Sequence, residues 1–79
     1  MHRKIRLIWN FRGPDALKTA EHHVIHLKEF AQMEDLYFHE SATLVENAYF
    51  CMAYIIINEP DLKIYKDALK PDRGTIVNN

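Results

Sequence analysis

The sequence predicts an α+β protein: a two-layer sandwich of βαββα(β) order, an antiparallel sheet with two helices on one face. Three observations carry that expectation. Residues 4–11, KIRLIWNF, alternate apolar and polar with period two. Residues 14–34 repeat their apolar positions at helical spacing. Residues 48–57, AYFCMAYIII, are apolar on both sides of an extended chain, as in a strand buried on both faces.

The first strand is predicted over about residues 3–11. It puts Ile5, Leu7, Trp9 and Phe11 on one side and Lys4, Arg6, Ile8 and Asn10 on the other. Arg12-Gly13-Pro14-Asp15 stops it. Pro14 suits a first helical position, where its missing N–H would have no partner, and Asp15 complements the helix dipole. The helix then runs over about 14–34, roughly 20 residues or 30 Å. Leu17, Ala20, Val24, Leu27 and Ala31 form its apolar stripe, flanked by Ala16, His23 and Phe30.

A second strand is predicted at about 36–44, starting with Leu36-Tyr37-Phe38-His39 and turning at Glu46-Asn47. A short helical turn around Ser41 to Val45 is the alternative reading of that segment. The third strand covers about 48–57. Asn58-Glu59-Pro60-Asp61 repeats the helix-start chemistry, and a second helix over about 60–70 carries Leu62, Tyr65, Ala68 and Leu69 as a short apolar stripe. Lys63 and Asp67 form an i,i+4 pair on its outside. Lys70 to Gly74 make a turn, Thr75-Ile76-Val77 a last short strand, and Asn78-Asn79 a frayed end.

This order resembles the ferredoxin-like split βαβ sandwich over nearly the whole chain. The resemblance is one of topology and implies no particular activity, since many functions sit on that fold.

Seventy-nine residues make one domain at most. A chain this short buries only about 60% of the surface that its unfolded form exposes, so a partner is a common route to added stability. Cys51 is the only cysteine, which rules out an internal disulfide and points away from a disulfide-built secreted domain. The segment MHRKIRLIWNFRG is too interrupted for a signal-peptide core, and the apolar run 48–57 is about half a membrane span. A cytoplasmic protein without membrane contact is the expectation. Lys plus Arg number 10 against 11 Asp plus Glu, which argues against nucleic acid as a partner. Glu46-Asn47-Ala48-Tyr49-Phe50 also lacks the basic opening and the glycine of the RNA-recognition motif.

Small residues favour Cys51, Ala53, Ile55 and Ile57 as the side of the third strand that meets the helices. Phe50, Met52, Tyr54 and Ile56 then fall on the open sheet face beside Arg6, Ile8 and Asn10. Those side chains predict an exposed patch on the order of a few hundred Å², the size that marks an interaction surface. The leading expectation is a non-enzymatic homodimer joined through the sheet, binding a small ligand or a protein partner. The alternative is a small enzyme of dimeric ferredoxin-like type, with Arg6, Asn10, Tyr54 and His39 as the polar groups of a pocket on that face. No catalytic residue stands out: no serine lies in a nucleophile elbow, and a thiol inside a strand is usually inert.

The stretch EHHVIH raises a further alternative. His22 and His26 are four apart on one helix face, with Glu29 three residues on, a spacing that can chelate a divalent metal. A folded site needs a third or fourth ligand. A solvated polar face is the plainer reading, and no cofactor is implied.

Overall fold

The computed structural model describes residues 2–77; the ends expected to fray, Asn78 and Asn79, lie outside the described residues. Its elements are β1 (Lys4–Arg12), α1 (Ala16–Met33), β2 (Glu40–Asn47), β3 (Phe50–Asn58), a 3-10 turn (Glu59–Asp61), α2 (Leu62–Leu69) and β4 (Arg73–Val77). The strands form one sheet in the order β2-β3-β1-β4, and every neighbouring pair is antiparallel. β3 is thus an inner strand, paired with β2 on one side and β1 on the other.

Pairing of β1 with β3 sets Ile5 opposite Ile57, Leu7 opposite Ile55 and Trp9 opposite Ala53. These odd-numbered residues face the helices. Ile5, Leu7, Trp9, Ile55 and Ile57 pack with Leu27 and Ala31 of α1 and Tyr65 of α2, so both helices lie on one side of the sheet. Towards the start of α1, Ala16, Ala20 and Val24 pack on Cys51 and Ala53. Small side chains on both surfaces let helix and sheet approach closely there. The indole of Trp9 donates to the carbonyl oxygen of Leu69 at 2.8 Å, pairing one of the carbonyls that the end of α2 leaves free.

Several boundaries differ from the sequence expectation, each for a local reason. α1 begins at Ala16 with Asp15 as its N-cap residue, so Pro14 precedes the helix rather than opening it. Gly13 makes the bend with φ +116°, a region that only glycine enters cheaply, and its N–H donates to the carbonyl oxygen of Tyr49 at 2.9 Å. The buried stripe is Ala16, Ala20, Val24, Leu27 and Ala31; Leu17, about 100° round from Ala16, is 41% exposed.

α1 closes with a Schellman motif. Asp35 takes positive φ, its N–H donates to Gln32 at 3.2 Å, and the N–H of Leu36 reaches back to Ala31 at 2.8 Å. Leu36 and Phe38 then pack against the main core as irregular chain, and β2 starts at Glu40 rather than 36. At its other end Glu46 and Asn47 belong to the strand, with an irregularity between Val45 and Asn47. The turn falls on Ala48 and Tyr49, and the Asn47 side-chain oxygen accepts the Tyr49 N–H at 2.8 Å. The helical alternative for 41–45 is therefore replaced by strand.

Pro60 sits in the 3-10 turn, so α2 proper begins at Leu62, and left-handed Lys70 ends it after Leu69. β4 starts at Arg73, two residues before the expected 75. Leu7 faces Gly74, where a Cβ would come within 3.2 Å of the leucine side chain. The absence of a side chain lets β4 pair closely with β1, and a residue expected in a turn becomes strand.

Candidate functional site: the open sheet face

Even-numbered residues of β1 and β3 point away from the helices. Ile8, Met52, Tyr54 and Ile56 form one apolar cluster there, with Phe50, Ala42 and Val77 packed against it. The register brings Arg73 of β4 level with Ile8 and Arg12 level with Phe50. This face therefore gathers Lys4, Arg6, Arg12 and Arg73, against Glu40 at the edge strand. A chain with a net charge of −1 carries a local basic surface.

The expectation of a bare apolar patch is corrected. Ile8, Met52, Tyr54 and Ile56 are each only 5–7% exposed within the single chain. The arginines cover them. The Arg6 guanidinium lies 5.2 Å from the centre of the Tyr54 ring, and that of Arg12 lies 4.2 Å from the centre of the Phe50 ring. Nη2 of Arg73 reaches Met52 Sδ at 3.6 Å. Long cationic side chains lay their stems on apolar surface while keeping their heads wet, which alternation in a sequence does not reveal.

At one end the face opens into a cleft of about 460 Å³ lined by Lys4, Arg6, His39, Glu40, Ile56 and Val77. The Tyr54 hydroxyl donates to Glu40 Oε2. That hydrogen bond, followed by burial, raises the Tyr54 pKa above its ordinary value, so the phenol keeps its proton and holds the carboxylate in place. Nε2 of His39 pairs with Asn58 Oδ1 at 2.7 Å; an amide oxygen only accepts, so this nitrogen carries the proton. The Tyr37 ring stands edge-on to His39.

Two polar atoms on this face are buried with no hydrogen-bond partner among the described residues: Nε of Arg6 and Oδ1 of Asn10. The backbone N–H of Asn10 is satisfied, donating to Asp72 Oδ2 at 2.7 Å. An orphaned guanidinium N–H is costly.

Of the residues singled out in the sequence, Arg6, Ile8, Asn10, Phe50, Met52, Tyr54 and Ile56 share this face, and His39 lines the cleft with Arg6. Sequence reasoning missed Arg73 because it assigned that residue to a turn. It left Lys4 and Glu40 out of the open-face site because each needs a neighbouring strand to acquire a meaning there. A period-two count run back from Val77 would have found Arg73.

The helix histidines fare differently. His22 and His26 are exposed, and His26 Nδ1 lies 3.4 Å from Glu29 Oε1. Among the described residues no three His, Cys, Asp or Glu side chains come together as a group that could hold a metal ion, so His22, His26 and Glu29 do not assemble a centre. His23 instead packs against Trp9 and Phe11, with ring centres 4.8 and 5.3 Å away.

A second cleft of about 370 Å³ lies between α2 and β4, floored by Ile5 and Leu7. It is the more apolar of the two. The basic cleft brings Lys4, Arg6, His39 and Glu40 together with a more polar lining, so recognition chemistry is better served there. Among the described residues no helix is long and apolar enough to cross a membrane. No family model matches the chain, and comparison with curated proteins and with solved structures finds no match either.

Proposed function

We propose that this chain is a non-enzymatic, ferredoxin-like module that binds a small anionic ligand at the Lys4–Arg6–His39 end of its open sheet face. The strand order β2-β3-β1-β4, with α1 carrying β1 to β2 and α2 carrying β3 to β4, supports the fold assignment. The observation that carries the function is that Lys4 and Arg6 line one cleft, and neither makes a salt bridge among the described residues. A carboxylate or phosphate would pair with both cations through charge-assisted hydrogen bonds. Enzymatic chemistry has less support: Tyr54 is held protonated by Glu40, and Cys51 is buried on the opposite face. The same reading places the module in the cytoplasm, where a lone free thiol such as Cys51 persists.

A homodimer through the sheet is the second reading. Leu44, 43% exposed and level with Met52, supplies apolar area on the same face. Lys4, Arg6, Arg12 and Arg73 of two copies would meet like charge with like, which ranks this reading behind the ligand. Nucleic acid ranks lower still, because Arg6 and Arg12 already occupy the ring faces on which bases would stack.

Calorimetric titration with short carboxylates and inorganic phosphate tests the proposal. Arg6→Gln is expected to weaken binding about tenfold or more, in line with a lost charge-assisted bond. Unchanged affinity in that variant would refute the assignment.

A further inference from the structure

The cleft holds more than cations. Glu40 stands in it with its carboxylate fixed by the Tyr54 hydroxyl, opposite in sign to Lys4 and Arg6. A simple anion gains from Arg6 and Lys4 but is repelled by Glu40. A simple amine has the reverse problem. A ligand with both charges a few ångströms apart answers both sides at once, because complementary placement of charge selects such a partner and rejects the singly charged ones. Among the described residues, the apolar side chains in the lining are Ile56 and Val77. They offer room for a short aliphatic group and little more.

Building on the anion-binding reading above, we infer that the ligand is a small zwitterion, a free α-amino acid with a short aliphatic side chain. Its carboxylate takes the guanidinium of Arg6 and the ammonium of Lys4. Its own ammonium donates to Glu40. Its side chain rests on Ile56 and Val77. Tyr54 is a positioning residue in this scheme: it holds Glu40 through the hydroxyl and supports Arg6 beneath the guanidinium.

Titration of the whole chain with three probes separates this inference from the reading it rests on. The probes are valine, 3-methylbutanoate (valine without its amine) and 2-methylpropylamine (valine without its carboxylate). Valine is expected to bind about tenfold or more tighter than 3-methylbutanoate, the difference one charge-assisted pair makes. Glu40→Gln should abolish that advantage and tighten 3-methylbutanoate binding, because the carboxylate that repels a simple anion is gone. Tyr54→Phe should reduce it, because Glu40 is no longer held. Glu40 is exposed, so its variant is expected to fold, and circular dichroism checks that it does. Equal affinity for valine and 3-methylbutanoate would overturn the zwitterion and leave the anion site standing. Binding of 2-methylpropylamine as tight as that of valine would overturn both assignments. No heat with any probe at millimolar concentration would also overturn both.

Discussion

Tyr65→Phe should make the protein more stable, although Tyr65 is among its most deeply buried side chains. The ring is 0% exposed and packs edge-on to Phe30, with centres 5.4 Å apart. Its hydroxyl has no hydrogen-bond partner among the described residues. In the unfolded chain that hydroxyl is solvated, so folding strips its water without replacement, at a cost of about 1–3 kcal/mol. Phenylalanine keeps the ring contacts and avoids the penalty, at the expense of a small void where the oxygen stood. The net expectation is a gain of about 1 kcal/mol, or roughly 4–8 °C in Tm for a domain of this size. Urea unfolding of both proteins at neutral pH measures it. Alkaline titration gives an independent check. Burial, with the charge of Asp61, pushes the Tyr65 pKa up to about 12 from its ordinary 10.0. The unfolded chain therefore releases this proton first. Stability from this group is complete below pH 10 and is lost as pH rises towards 12, a loss that the phenylalanine variant should lack. A variant at least 1 kcal/mol less stable than the parent would refute the reasoning, because it would mean that the hydroxyl is paired.

Three further outcomes follow from the packing. Burial lowers the pKa of His23, with His26 adding to the effect and Asp72 opposing it. The unfolded state then takes up the proton first, so stability present above pH 6.5 should fall as pH drops below it. His23→Phe should flatten that part of a urea-midpoint profile. Gly13→Ala should cost about 1–3 kcal/mol in urea unfolding through its backbone conformation alone, since the space around an added Cβ is open. Leu27→Ala, at a fully buried position between α1 and the sheet, should cost about 2–5 kcal/mol by the same assay.

Those positions also mark what a reader of the sequence can and cannot see. The alternation in β1, the helical stripe of α1 and the two apolar sides of β3 are legible because burial there repeats with the period of the backbone. The start of β2 is not. Its position depends on Asp35 taking a left-handed conformation that glycine more often fills, and on Leu36 and Phe38 packing as irregular chain. The turn before β3 depends on one Asn47 side-chain oxygen rather than on a glycine pair. The early start of β4 depends on Gly74 facing Leu7, a cross-strand contact far apart in the chain. The candidate site suffered most from this, since Arg73 and Glu40 reach the open face only through register. The apolar members of that face were legible from period two. The arginines that cover them were not, because side-chain stems leave no periodic trace.

The central claim is that the Lys4–Arg6–His39 end of the open face is the binding site. A two-dimensional NMR titration of the labelled chain with valine tests it most directly. The account predicts saturable shift changes at Lys4, Arg6, His39, Glu40 and Ile56, with Val77 following and the helix residues His22 and His26 unmoved. Saturable changes confined to the cleft between α2 and β4, or to the helices, would contradict it.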